Sequence, residues 1–389
     1  MGANEDSKSQ FPYLASANMN KNEHHYKILV ISDYREINSS RPEAEIFVKM
    51  TAAGHTIHIL SYPEANHFND RFRSNGIVVI EHHPEKKGSI SFIRYLRKLI
   101  QDEQYDFVHA FNSLGLTNAV WAMSGLKSKL IAYRGYAGQT HWYDPMMYLK
   151  YFHPRVDHII CLSQVTRDFL ARNMPWAKNK LTIIHKGHDP AWYQNIKPTD
   201  RSTLGFNDDD IMICCVANAR PFKGIPYLIE AMNKIPFASH IHLLLIGKGY
   251  NEEPIHSIVE KSVFAKNIHR LGFRDDSLNI VAASDALVLA STHGEALTKS
   301  VIEAMCLAVA PIITDIAGNA GLVINGVSGW VVLPADTQAL SVAISDMISN
   351  KPERKRRGLN AKEHINQHFH TNNTVEGFIS LYQRLNQKR

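Results

Sequence analysis

The chain has 389 residues, of which 44% are hydrophobic and 21% charged. That length and apolar share exclude a disordered or fibrous chain and suit two globular domains. The formal net charge of +6 is local: residues 351–389 hold nine Lys/Arg against three Asp/Glu, and the remainder balances at 34 against 34. A nucleic-acid reader spreads its basic footprint over a binding surface, so that class is set aside. One basic terminal segment reads as a solvated helix face, with weak attraction to anionic lipid as the sharper alternative.

No apolar run approaches the ~18 residues of a membrane-spanning helix. Residues 1–25 are polar, lack a signal-peptide apolar core and read as a loose tail, so a cytoplasmic protein is expected. Cys161, Cys214, Cys215 and Cys306 have no metal-ligand spacing and read as buried small hydrophobes. The closest histidine pairs, His24/His25, His82/His83 and His368/His370, lack the spacing of a zinc-binding helix. Neither a metal nor a cofactor is expected.

Residues 26–32 (YKILVIS) form a nearly continuous apolar run, typical of a parallel strand buried on both faces. A helix is predicted over 42–53, with Pro42 in its first turn and Gly54 at its stop. A strand over 56–60 follows, which completes a strand–helix–strand unit. The alternation continues with strands at 76–80, 107–110, 129–133, 156–162 and 181–185, and helices at 89–101, 117–123 and 166–173. The stretch 189–207, rich in Pro, Asp, Ser and Thr, reads as a linker. A second series then opens, with strands at 211–216, 241–246, 268–271, 286–289, 310–314 and 329–332, and helices notably at 225–233, 253–265 and 298–307. The last helix, 374–386, carries Val375, Phe378, Ile379, Tyr382 and Leu385 on one stripe. The fold class is therefore α/β, with two Rossmann-like doubly wound domains facing across a cleft. A first domain covers 26–195, a second 196–370, and a final helix lies in 371–389. Ligands of such sheets bind at the carboxyl ends of the strands.

The stretch 217–224 (ANARPFKG) leaves a buried strand and turns on Pro221. It presents Arg220 and Lys223, two cations suited to a diphosphate. Further on, Glu295 lies in a loop and Glu303 in the next helix, at most ~12 Å apart along a helix. That is comparable with the span from a nucleotide's ribose to its attached sugar, so one carboxylate can bind ribose hydroxyls while the other faces the sugar. Between them the helix starts at Thr298, where free N–H groups and the helix dipole favour a phosphate.

Taken together, these motifs resemble glycosyltransferase family 4, retaining enzymes of the two-domain GT-B fold, over nearly all of residues 26–389. Glu295 and Glu303 match the family's E-x7-E element, and residues 218–224 resemble its phosphate loop. The runs 246–249 (IGKG) and 271–273 (LGF) match its next strand ends, while 157–163 and 186–189 (KGHD) match features flanking the linker. The resemblance implies that Arg220 and Lys223 hold the diphosphate, that Glu303 binds ribose and that Glu295 contacts the donor sugar. Phe273 and Arg274 then lie near the base, and Gly247, Leu297, Thr298 and Lys299 complete the donor site. It also implies that the final helix crosses back onto the first domain. Three departures stand out. Residues 38–41 (NSSR) replace the family's paired glycines, leaving Ser40 small enough for close approach and Arg41 as an added charge. Arg134 stands where a His is frequent, and Gly321 where a Glu is frequent.

The implied reaction moves a hexose-type sugar, with retention, from a nucleotide-sugar donor to a surface-glycan acceptor: a lipopolysaccharide core, O-antigen or capsule precursor, lipid-linked or free. The glycosidic bond loosens first and the acceptor enters from the face the diphosphate leaves. Catalysis is then mostly charge stabilisation of the leaving group. His109 and Asn112, predicted to end a strand at the cleft, join Ser40, Arg41 and Arg134 as acceptor contacts. Helix 89–101, with Phe92, Ile93, Leu96 and Ile100 beside Arg94, Arg97 and Lys98, packs on its sheet or meets the inner membrane surface. The aromatic and Met-rich stretch 143–152 is core or a platform for sugar or lipid. A GT-B-fold nucleotide-sugar epimerase and a noncatalytic nucleotide-sugar sensor share this architecture. Incubation with donor alone separates an epimerase, which would convert it, from a transferase.

Overall fold

A computed structural model describes residues 24–135, 141–295, 297–319 and 321–387. The expected tail at 1–25 lies almost wholly outside them. In the first domain the chain runs β1 (Lys27–Ile31), α1 (Ile37–Ala52), β2 (Thr56–Leu60), α2 (Asn66–Ser74), β3 (Val78–Ile80), α3 (Ile90–Glu103) and β4 (Phe107–Ala110). It continues through α4 (Ser113–Ala122), β5 (Lys129–Arg134), α5 (Pro145–Tyr148), β6 (His158–Cys161), α6 (Gln164–Asn173) and β7 (Leu181–Ile183). The second domain contains β8 (Ile211–Val216), α7 (Ile225–Asn233), β9 (Ile241–Ile246), α8 (Ile255–Glu260), β10 (Ile268–Gly272), α9 (Ser277–Ala283) and β11 (Ala286–Leu289). It ends with α10 (Lys299–Cys306), β12 (Ala310–Thr314), β13 (Trp330–Val332), α11 (Thr337–Ser349) and α12 (Lys351–His368), after which α13 (Thr371–Asn386) closes the chain.

Both sheets are wholly parallel. Their strand orders are β3-β2-β1-β4-β5-β6-β7 and β10-β9-β8-β11-β12-β13. Each order reverses direction at one point, β1/β4 in the first sheet and β8/β11 in the second, and a doubly wound sheet leaves its ligand crevice there. The central strands β8, β9, β11 and β12 have the predicted bounds, because both faces of each are packed and every apolar residue in the run is needed.

The helix α1 begins at Ile37, five residues before the predicted start. The expected open stretch 38–41 is therefore helical. Pro42 removes one intrahelical bond, that to the Asn38 carbonyl, and is tolerated near the helix start. Ser40 is buried and its hydroxyl donates to the Asp33 carbonyl at 3.1 Å. This corrects the expectation of a small, open residue at the phosphate.

The final helix leaves the second domain and packs on the first. Val375, Phe378, Ile379 and Tyr382 share a core with Tyr26, Ile28, Phe47 and Phe107. Tyr382 stacks on Phe107 with centroids 4.5 Å apart. The crossing is pinned by Thr374, whose hydroxyl donates to the His185 carbonyl at 2.8 Å and accepts from the Gly187 amide at 2.9 Å. A side chain on Gly187 would meet the His370 carbonyl oxygen at 2.7 Å.

This helix overturns one candidate. His109 is fully buried, its Nδ1 lies 3.3 Å from the Tyr382 hydroxyl, and its ring packs among Phe47, Phe111 and Phe378. It belongs to the core and does not face the cleft. Helix α3 likewise spends Phe92, Leu96 and Ile100 on the core. The terminal basic segment is only partly a solvated face. Arg354 is buried and pairs with Asp285 at 2.7 Å, while Arg356 and Arg357 both hold Glu353. No described helix is long and apolar enough to cross a membrane.

Two stability effects are expected from this packing. Phe378→Ala empties a site between α1 and α13 and should cost ~3–5 kcal/mol in denaturant unfolding. Burial depresses the imidazoles of His83 to about 4, and of His109 and His188 to about 3. Between pH 6.5 and those values the unfolded chain binds protons that the folded chain refuses. Stability is thus unaffected above pH 6.5 and falls as pH drops, by ~1.4 kcal/mol per pH unit for each histidine. His109→Phe should flatten the stability slope between pH 6 and 5 by about one proton, read by urea unfolding at each pH.

Candidate functional site

The second domain's crevice is built by two loops that leave β8 and β11. The first, 217–224, ends in a 3-10 turn, Pro221–Lys223, and Gly224 at φ +66°. A Cβ on Gly224 would lie 1.9 Å from the Ala290 carbonyl oxygen, so only glycine lets the loops touch. The Thr292 amide donates to the Phe222 carbonyl at 2.8 Å and locks them further. Gly247, at φ +144°, plays the same part against the Ala217 carbonyl.

This locking sets Lys223 against Glu295, with Nζ to Oε1 at 2.5 Å and side chains 15% and 11% exposed. The Ser291 hydroxyl donates to the same carboxylate oxygen at 2.9 Å. Arg220 is exposed, and among the described residues its guanidinium has no ion-pair partner. The second carboxylate, Glu303, is held by Lys299 one turn away. Sequence reading had found these four groups but not their pairing.

Thr298 is the residue before α10, and its hydroxyl does not cap the helix. It donates instead to Asn319 Oδ1 at 2.8 Å. The first-turn N–H groups of α10 are thus without a side-chain cap. Leu297 packs against the second domain's core beside them. A cavity of about 320 Å³ opens at the ends of β9 and β10, lined by Gly247, Lys248, Tyr250, Asn251, Arg270 and Phe273. Phe273 is 65% exposed, with Lys248 Nζ 5.6 Å from its ring centre. Arg274 is held on Asp276 by two hydrogen bonds of 2.7 and 2.6 Å.

The first domain contributes Arg41, whose guanidinium lies 4.8 Å from the ring centre of Trp192. Trp192 packs on the second domain's core, so this contact spans the cleft. His188 stays neutral chiefly because it is buried, then because Lys299, Lys186 and Arg41 surround it. Burial, followed by the Glu303 carboxylate, raises the Tyr193 hydroxyl. The linker residues His188, Trp192 and Tyr193 therefore belong to the site. Sequence reading matched 186–189 to a feature flanking the linker but gave His188, Trp192 and Tyr193 no role at the site.

Asn112 caps α4 by accepting from the Gly115 amide at 2.7 Å, and its Nδ2 meets His83 Nε2 at 3.2 Å. Both ends of its amide are occupied. Arg134 ends β5 with its guanidinium 5.0 Å from the Tyr151 ring centre. Gly321, where a Glu is frequent, offers its carbonyl to His364 at 3.0 Å. All four cysteines are buried, and among the described residues no group of three His, Cys, Asp or Glu is placed to hold a metal.

Comparison with known proteins agrees along the chain. Residues 45–192 match the model described as Glycosyltransferase Family 4, and residues 196–364 match Glycosyl transferases group 1. An uncharacterised glycosyltransferase of Methanocaldococcus jannaschii is 24% identical over 63% of this chain and 63% of its own length. The UDP-Gal:alpha-D-GlcNAc-diphosphoundecaprenol alpha-1,3-galactosyltransferase of Escherichia coli is 23% identical over 66% of this chain and 70% of its own. HepE of Anabaena, solved in complex with UDP and glucose, superposes with a TM-score of 0.72 at 19% identity, over 92% of this chain and all of its own. The two family matches meet at the linker and take in both crevice-forming loops. The chain belongs to the family 4 glycosyltransferases and has their GT-B fold, two Rossmann-like domains facing across a cleft.

Proposed function

We propose that this glycosyltransferase moves a hexose-type sugar, with retention and without a metal, from a nucleotide-sugar donor to a lipid-linked surface-glycan acceptor. The observation that carries the reading is the pairing of Lys223 with Glu295 at the β8/β11 switch point, beside the uncapped start of α10. A diphosphate arriving there competes for Lys223. Once Lys223 turns to phosphate, Glu295 is free to accept a hydrogen bond from the donor sugar, so one exchange of partners serves both ends of the donor. Arg220 supplies the second countercharge that a divalent cation supplies in other enzymes. Glu303, already fixed by Lys299, accepts from the ribose hydroxyls, and the exposed Phe273 offers a face to the base.

Departure of the nucleoside diphosphate leaves an electron-poor anomeric carbon. Charge stabilisation of the leaving oxygens by Lys223, Arg220 and the α10 N–H groups lowers that barrier. The departing phosphate takes the acceptor's proton, and entry from the same face preserves the anomeric configuration. The acceptor class is supported by the E. coli relative, whose name specifies a diphosphoundecaprenol-linked sugar. Lipopolysaccharide core, O-antigen and capsule precursors share that chemistry of a glycan carried on lipid.

A thermal-shift screen over nucleotide sugars should find one donor that stabilises the chain, by ~2.7 kcal/mol at a hundred times its Kd. Glu303→Ala should abolish that shift. With the donor in hand, Lys223→Ala should lower turnover by ~10²–10³-fold, and NMR of the product should report the donor's anomeric configuration. Near-normal turnover, or an inverted product, removes the assignment.

A further inference from the structure

Between β5 and β6 the chain turns large apolar side chains outward. Trp142 (62% exposed), Tyr143 (65%), Met146, Tyr148 and Leu149 face solvent, whereas Met147, Tyr151 and Phe152 of the same stretch are buried. These residues form one surface. The Trp142 and Tyr143 rings meet edge-on at 5.9 Å, and the Tyr148 hydroxyl donates to the Trp142 carbonyl at 2.9 Å. Tyr148 contacts Phe152 at 5.4 Å, and Phe152 contacts Trp176, itself 59% exposed, at 5.9 Å. Single exposed apolar residues are ordinary, but a contiguous aromatic patch marks a surface built to be covered.

The charges around this surface have one sign to spare. Arg172 and Lys178 flank Trp176 and are exposed, and Lys87 lies beside Lys150, next to Leu149. The nearby acids are committed. Asp168 pairs with Arg167, Asp157 is held by Arg155 and Lys129, and Asp144, which caps α5, offsets only one of Lys87, Lys150, Arg172 and Lys178. Four residues after Trp176, at most ~14 Å along the chain, Lys180 enters a second cavity. It measures about 170 Å³ and is also lined by Lys129, Asp157, His158, Asn179 and Arg384. With Asp157 already paired, Lys180 and Arg384 leave that cavity cationic.

We propose that this face docks on an anionic phospholipid bilayer, with the aromatic side chains at the headgroup boundary and the Lys180/Arg384 cavity taking a lipid phosphate. Trp and Tyr are the residues that suit that boundary, and basic side chains beside them gain from its negative surface potential. Lipid is favoured over a protein partner by the surplus of cations and by the mixture of indole, phenol and thioether groups. The proposal deepens the lipid-linked acceptor reading and rests on it for its purpose. Vesicle binding is read without sugar transfer, so its failure leaves the donor-site reading standing.

The test is sedimentation of the full chain with vesicles of phosphatidylcholine alone or with about one third phosphatidylglycerol. Binding should require phosphatidylglycerol and weaken with salt. It should fall about tenfold or more in a Trp142→Ser, Tyr143→Ser, Trp176→Ser variant and in an Arg172→Glu, Lys178→Glu variant, both melting like the parent. No binding to the anionic vesicles overturns the proposal, as does equal binding by the serine variant. So does a parent dimer in solution that the serine variant converts to monomer, since the face would then cover a second copy.

Discussion

Gly224 sits in a left-handed conformation with its α-carbon against the Ala290 carbonyl, where a Cβ would lie 1.9 Å from the oxygen. That contact joins the loops following β8 and β11, the neighbouring strands at which the second sheet changes direction. Because the loops cannot separate without breaking it, Lys223 on one and Glu295 on the other are held within hydrogen-bond reach, although 72 residues apart. The backbone thus supplies the precision and the side chains supply the charge. A flexible lysine on an unconstrained loop would lose rotamer entropy on binding phosphate, whereas this one is already held by a carboxylate, which in the proposed reaction the donor would displace.

Much of the fold was legible because its central strands are buried on both faces, and a short, unbroken apolar run between turn residues is too brief for most helices and suits a buried parallel strand. The helices were read less evenly. Of the nine residues of α2, Phe68, Asn69 and Phe72 are buried, too few apolar positions for a periodic signal. Helix α12 is dominated by charged and polar residues, and its helicity comes from packing Ala361 and Ile365 on the second domain's core. The early start of α1 was hidden by Pro42, which marks a first turn more often than a second.

The stretch from Glu295 to Glu303 was legible for a different reason: its groups lie within nine residues, and the helix start after Thr298 orders them, whereas the pairing of Glu295 with Lys223, 72 residues away, was not. His109 was not, because a strand packed on both faces gives no alternation to say which way a side chain points. What decides its environment is Tyr382, 273 residues away on α13. The cross-cleft contact of Arg41 with Trp192 was hidden in the same way, since Arg41 stands on a first-domain helix and Trp192 packs on the second domain's core.

The charges gathered at the mouth of the cleft explain why these long-range contacts matter. Lys223 pairs with Glu295, Lys299 with Glu303, and Lys186 with Glu43. Neither Arg220 nor Arg41, one from each domain, has an ion-pair partner among the described residues, and Lys248 is a further cation beside Phe273. His188 stays uncharged among Lys299, Lys186 and Arg41 because it is buried. Were it protonated, one more positive charge would sit among Lys299, Lys186 and Arg41 and repel them. A neutral imidazole at that point spares Arg41 that repulsion, and in the proposed reaction a dianionic donor drawn to the unpaired cations of both domains would bring the domains together and exclude water from the reacting bond.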